Sequence, residues 1–320
     1  MRMKRLGSEG PEISVVGFGA WEAGGDAWGP NQSDDEAVEA MQAGLDAGIT
    51  WIDTAEVYGD GKSEELVGRA IEGRRDEVVV ATKVAPRPDG TGFWREEVRA
   101  ACEASLKRLG IDRIDLYQLH WPDDDVPVEE TWEAMAGLVE ERLVRSIGVS
   151  NFDEGLIERC EAIRHVDSLQ PHFSMLHLKN GDLIRWCGDR GIGVVTYGSL
   201  AYGLLTGAIT METEFDDQDW RSGRQGQGEY YRRLFAEGKR ERSLAVVDGL
   251  RPIAERLGIS VSQLALAWTF HQPGVTSAIA GSRNPRHVRA NAEAGRVDLD
   301  QDTLREIEEN VIPLGPAFGG

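Results

Sequence analysis

Several things this chain has little of narrow what it can be. Its 320 residues hold three cysteines, Cys102, Cys160 and Cys187, which cannot all pair and show no C-x-x-C or Cys/His spacing. A disulfide framework and a zinc module are excluded, and a reduced, cytoplasmic setting is expected; Asn31-Gln32-Ser33 then has no glycosylation context. Basic residues are outnumbered, 35 Lys and Arg against 55 Asp and Glu, for a formal net charge of −20. Nucleic acid and anionic membrane are therefore not expected as partners, and an anionic ligand would need a local cationic pocket. Long apolar runs are missing too. The opening "MRMKRLGSEGPE" lacks the apolar core of a signal peptide. The uncharged stretch 191–211 carries five glycines and several hydroxyls, too little apolarity for a membrane span.

Phosphate-binding fingerprints are absent as well. "GDGKS" ends like a P-loop, but the required first glycine is Glu56; "GFGAWE" and "GIGVVT" fail the G-x-G-x-x-G pattern at Glu22 and Thr196. No solenoid-period repeat or low-complexity tract occurs. Glycine is the one enriched residue, at 38, as many short turns would require.

What is present is alternation. Short β-branched or aromatic runs at 15–20, 50–54, 78–84, 115–120, 146–151, 168–173, 193–199 and 276–282 predict strands buried on both faces. Amphipathic stretches between them predict helices. That at 33–48 begins with Ser33 and Glu36 at capping-box spacing and ends at Gly48. Eight strands separated by helices, with no composition break, predict an α/β fold: a (β/α)8 TIM barrel forming one domain over 1–320, with an N-terminal hairpin-like segment and extra C-terminal helices. The polar segment 211–241 is too long for an ordinary connection and is expected to be a lid or a mobile segment.

Active sites of such barrels lie at the C-terminal strand ends. The residues there are Asp53, Lys83, His120, Ser150 with Asn151, Gln170, Tyr197 and Arg283. Asp53, Lys83 and His120 close consecutive strands, and Tyr58 hangs from the loop after Asp53. A phenol is by itself a weak acid. A neighbouring ammonium should lower its pKa, and a carboxylate offsets the cost of burying that ammonium. Tyr58 could then protonate a carbonyl oxygen as a nucleophile reaches its carbon, with His120 orienting the same oxygen. Lys83 at a barrel strand end would equally suit a Schiff-base lyase or aldolase.

"GFGAW", "GITWIDTAEVYGDGKSEELVG", "VVVATKV", "SLKRLGIDRIDLYQLHWPD", "RSIGVSNF", "GLLTG" and "GSRNP" occur in that order, and with them the chain resembles the aldo-keto reductases nearly end to end. The resemblance implies a catalytic tetrad of Asp53, Tyr58, Lys83 and His120 and an NADPH-dependent reduction of aldehydes or ketones. It further implies a cofactor-binding set of Gly19, Ala20, Trp21, Ser150, Asn151, Gln170, Tyr197, Gly198, Ser199, Leu200, Gly203, Gly281, Ser282, Arg283, His287 and Asn291. Within it, Ser150, Asn151 and Gln170 hold the carboxamide and Tyr197 stacks on the nicotinamide. Arg283, at a strand-to-helix turn, suits a ribose 2′-phosphate and favours NADPH over NADH. Trp21 and Trp121 are implied as walls of the pocket for a small carbonyl substrate. The chain departs from the family at "YGSL" (197–200), where Gly198 and Ser199 replace a Ser-Pro pair and a looser loop is expected. Some family-like chains instead serve as non-catalytic cofactor-binding subunits of channels, a role the intact tetrad argues against.

Overall fold

The computed structural model describes residues 1–316 other than 26–27, 30–32, 88–90, 225 and 227. Asn31 and Gln32, and parts of the segments 22–32 and 211–241, lie outside the described residues. Strands β1 (Met3–Arg5) and β2 (Glu12–Ser14) form an antiparallel hairpin. Eight parallel strands follow among the described residues: β3 (Val16–Gly19), β4 (Trp51–Asp53), β5 (Val79–Val84), β6 (Ile114–Leu119), β7 (Val144–Ser150), β8 (Ser168–Gln170), β9 (Gly193–Thr196) and β10 (Ser277–Ile279). They pair in chain order and β10 closes on β3, giving the expected barrel.

The helices that separate the strands begin as the local sequence dictates. Helix α1 (Asp34–Asp46) opens with the reciprocal Ser33–Glu36 capping box. The "GKSEE" run starts α2 (Lys62–Ala70) and is occupied structurally. Ser63 donates to the Ala20 carbonyl, while Glu64 accepts from Thr82 and Arg108. It is the turn into a helix rather than a phosphate loop. Helices α3 (Arg95–Leu109), α4 (Val128–Glu140), α5 (Glu154–Glu161) and α6 (Gly181–Asp189) follow β5 to β8. Helices α7 (Lys239–Leu257) and α8 (Val261–His271) lie between β9 and β10, and α9 (Pro285–Ala294) and α10 (Gln301–Glu306) after β10, so each of these two places carries one helix beyond the barrel repeat.

Alternation along each strand decides which side chains face the barrel axis. Ile52, Val80, Tyr117, Val149, Leu169 and Val194 point outward into the apolar layer beneath the helices. Trp51, Ala81, Leu116 and Val195 point inward and form a smaller cluster with Leu6 and Ile13 of the hairpin. The hairpin thus plugs the N-terminal end of the barrel. Moving two residues on from each inward side chain gives Asp53, Lys83, Gln118 and Tyr197, with His120 two further. The same parity that fills the bottom of the barrel with apolar groups carries the polar set to its mouth.

Candidate active site

The predicted polar residues converge at that mouth, though not all of them end a strand. Asp53, Ser150 and Gln170 are last residues of their strands; Lys83 is next to last; His120, Asn151 and Tyr197 come one residue after, and Arg283 four after. Tyr58 reaches the group because two turns lie backbone against backbone. A Cβ on Gly59 would sit 2.3 Å from the Gly24 carbonyl oxygen, so neither turn could approach with larger residues.

Lys83 is fully buried, and its Nζ lies 2.7 Å from Asp53 Oδ1, 2.9 Å from the Thr54 carbonyl and 3.3 Å from Tyr58 Oη. Burial is the largest influence on this ammonium and by itself would lower its pKa. Asp53 and Tyr58 together outweigh it, and Lys83 stays charged with a pKa above its ordinary value. Its three N–H directions are all committed. An ammonium so held has no lone pair to offer a carbonyl carbon, which disfavours the Schiff-base alternative.

The Tyr58 phenol corrects one expectation. Burial raises its pKa, Asp53 raises it further, and the lowering effect of Lys83 does not overcome them. Without a ligand Tyr58 is thus a protonated acid, with Lys83 limiting the cost of its ionisation rather than making it acidic outright. His120 Nε2 lies 3.5 Å from Tyr58 Oη. Burial, then Lys83, hold the imidazole pKa well below its usual value, so it is neutral. Its ring stacks on Trp121 at 3.7 Å between centroids, and Nδ1 is buried without a hydrogen-bond partner among the described residues.

A cleft of about 1070 Å³ opens over these groups. Gly19, Trp21, Asp53, Tyr58, His120 and Trp121 line it together with Ser150, Asn151, Gln170, Tyr197, Gly198, Ser199, Leu200 and Gly203, and so do Gly281, Ser282, Arg283, His287 and Asn291. Ala20 is different: it is fully buried below the cleft and does not line it. Trp21 and Trp121 are 36% and 42% exposed, and one face of Trp121 is covered by the stacked His120 ring.

In the 197–200 loop Gly198 packs against His172. Gly198 has φ +68°, and a Cβ there would lie 2.5 Å from the His172 ring, which packs beneath Tyr197. Glycine replaces a larger residue because the imidazole occupies its space. Arg283 is engaged as well: Nη2 donates to the Trp28 carbonyl at 2.9 Å, and Nε is 4.0 Å from Glu22. Glu22 accepts from the Arg283 backbone N–H, and burial raises its carboxyl pKa against the opposing pull of Arg283 and Arg221. A carboxylate thereby stands in the turn expected to receive a phosphate.

Sequence reasoning passed over Glu22, Trp28, Tyr202, Arg221 and Tyr230, which also line the cleft. Trp28 and Asp219 form a β-bridge, and the Trp28 and Trp220 rings meet edge to face at 6.0 Å. The described part of 211–241 is thus anchored across the cleft. The hint in sequence was the set of aromatics, Phe215, Trp220, Tyr230, Tyr231 and Phe235, inside a segment otherwise rich in charge.

A parallel barrel here carries a buried carboxylate–ammonium–phenol chain beside a neutral imidazole, opening on a cleft, an arrangement able to give a proton to a bound ligand. Known proteins agree. The sequence profile of the aldo/keto reductase family matches residues 15–312. The aldo-keto reductase YhdN of Bacillus subtilis is 38% identical, over 99% of this chain and 97% of its own. A probable voltage-gated potassium channel subunit beta of Arabidopsis thaliana is 32% identical over 92% and 91%. Among solved structures, the glycerol dehydrogenase AKR11B4 from Gluconobacter oxydans superposes with a TM-score of 0.84, at 30% identity over 96% of this chain and 94% of that one. An aldo/keto reductase from Klebsiella pneumoniae, solved with NADP and acetate, gives 0.74 at 32% identity over 100% and 98%. The chain belongs to the aldo/keto reductase family.

Proposed function

We propose that this protein is an NADPH-dependent oxidoreductase that reduces the carbonyl of a small aldehyde or ketone to an alcohol, and runs the reverse reaction when the alcohol is in excess. The observation that carries the reading is the contact chain Asp53–Lys83–Tyr58, buried at the base of a cleft and flanked by neutral His120. The chain's own residues fit a nicotinamide dinucleotide. The lining of the cleft brings together the Tyr197 ring, the Asn151 and Gln170 amides, the Ser150 and Ser199 hydroxyls, and Arg283 just before α9. The relative solved with NADP supports the same cofactor. When bound, the nicotinamide supplies a hydride to the carbonyl carbon.

Tyr58 Oη gives its proton to the carbonyl oxygen. Lys83, 3.3 Å away, stabilises the phenolate left behind, and Asp53 keeps Lys83 charged. The neutral imidazole of His120 can hydrogen-bond the substrate oxygen without competing as an acid. Ser150, Asn151 and Gln170 hold the carboxamide, and Arg283 receives the 2′-phosphate. Trp21 and Trp121 form the walls against which the rest of the substrate lies. The test is a panel of aldehydes and ketones assayed for NADPH and NADH oxidation with the wild type and Tyr58→Phe. Tyr58→Phe should bind NADPH normally and lose at least about a hundredfold in kcat; turnover near the wild-type rate in that variant would reject the mechanism.

A further inference from the structure

Tyr197 and Asn151 are tied to a residue far from both in sequence. Tyr230 Oη lies 2.7 Å from Tyr197 Oη, and Tyr197 Oη lies 2.8 Å from Asn151 Oδ1. The direction of these bonds follows from the acceptors at the far end. Asn151 Nδ2 faces the His120 carbonyl at 3.2 Å and Ser150 Oγ at 3.1 Å, and a carbonyl can only accept. The amide oxygen therefore faces Tyr197 and accepts its hydroxyl proton. A phenol has one proton, so the bond between the two tyrosines must be made with that of Tyr230. The donors run in one sense, from Tyr230 to Tyr197 to Asn151 to the backbone of His120.

The rings are arranged to keep that chain in place. His172 stacks beneath Tyr197 at 5.1 Å with the planes 15° apart, and the Tyr230 ring meets His172 edge to face at 4.9 Å. Tyr230 belongs to the segment anchored by the Trp28–Asp219 bridge, so it is held over the cleft from a different part of the chain than the barrel rim. The Tyr197 ring is thus contacted on one face by His172 and at its hydroxyl by Tyr230.

We propose that Tyr230 is a positioning residue, which through its hydroxyl fixes the Tyr197 ring and the Asn151 amide and so couples the segment bridged to Trp28 to the wall that receives the nicotinamide. The proposal rests on the reading that Tyr197 and Asn151 contact the nicotinamide. Its effect reaches the cofactor through the ring and the amide. Because the hydroxyls act in series, losing either one breaks the same link.

A double-mutant cycle on the full-length protein tests this, with NADPH titrated against protein fluorescence and the melting temperature recorded for each variant. Tyr230→Phe keeps the ring and should weaken NADPH binding about threefold to tenfold at an unchanged melting temperature. Tyr197→Phe should do the same, and Tyr197→Phe/Tyr230→Phe should bind no more weakly than the poorer single variant. Binding by Tyr230→Phe within twofold of wild type, or losses that multiply in the double variant, would overturn the proposal. Tyr197→Ala separates the two levels. If it binds NADPH as the wild type does, the placement of Tyr197 at the nicotinamide fails and the role of Tyr230 fails with it. If it binds weakly while Tyr230→Phe binds normally, only the role of Tyr230 fails.

Discussion

Gln170 donates from Nε2 to Asp53 Oδ2 at 2.8 Å, the carboxylate oxygen that Lys83 leaves free. Both oxygens of a buried carboxylate are thereby satisfied, one by a cation and one by an amide. The side-chain Oε1 of Gln170 is left to accept from a ligand in the cleft, its backbone carbonyl already accepting from Ser150 Oγ and the Asn151 N–H. A residue implied to hold the nicotinamide carboxamide thus also supports the carboxylate that keeps Lys83 charged. Gln170→Leu should destabilise the fold by about 1–3 kcal/mol, the cost of a buried acceptor losing its donor, and weaken NADPH binding as well. Urea unfolding and an NADPH titration measure the two effects, and a loss of binding with unchanged stability would place Gln170 on the cofactor alone.

Lys83→Met removes the cation paired with the buried Asp53 carboxylate. Breaking one side of such a pair costs about 3–5 kcal/mol. Combining it with Asp53→Asn should restore part of that stability while leaving turnover absent, because no charged group then supports the Tyr58 phenolate. Denaturant unfolding of the two variants tests this.

The pH profile should identify which group gives the proton. Burial, with Asp53 adding to it, raises the Tyr58 pKa above its ordinary value against the pull of Lys83. The reduction needs the protonated phenol, so its rate should hold through neutral and mildly alkaline pH and fall only at the alkaline end. Oxidation of the alcohol needs the phenolate and should rise over that range. His120 is kept neutral by burial and by Lys83 and should add no limb between pH 6 and 7. Steady-state kcat in both directions from pH 5.5 to 10.5 is the measurement.

His177 makes stability depend on mildly acidic pH. Burial, then Arg233 and Lys179, lower its pKa from 6.5 to about 4, with Glu229 opposing. The unfolded chain therefore binds a proton that the folded one does not, and stability falls as pH drops from 6.5 towards 4. At about 1.4 kcal/mol per unit the loss is on the order of 3 kcal/mol. Stacked His172 is lowered too and adds to it. His177→Phe should lose less stability than the wild type between pH 7 and 4.5 in urea titrations.

Glu22→Gln takes a carboxylate away from the turn that carries Arg283. If that turn receives the 2′-phosphate, the variant should bind NADPH roughly threefold to tenfold more tightly, with a smaller change for NADH and a gain that shrinks in high salt. Equal gains for both cofactors would mean that Glu22 opposes the pyrophosphate instead.

Much of this site was legible before folding, because period two along a strand is a local property. Once Trp51, Ala81 and Leu116 are read as buried, Asp53, Lys83 and His120 must lie on the same face, and closing the barrel in chain order brings them together. The Ser33 cap of α1 is likewise settled within a few residues. Other features depend on contacts between distant segments, and no local rule supplies them. The bond from Tyr230 to Tyr197, the imidazole that makes Gly198 necessary and the carboxylate that Glu22 sets beside Arg283 all arise where loops meet above the barrel. The pKa of Tyr58 belongs to the same class. Sequence identified a cation near the phenol, but only the tertiary structure sets the burial of that phenol against the pull of Lys83, and burial prevails.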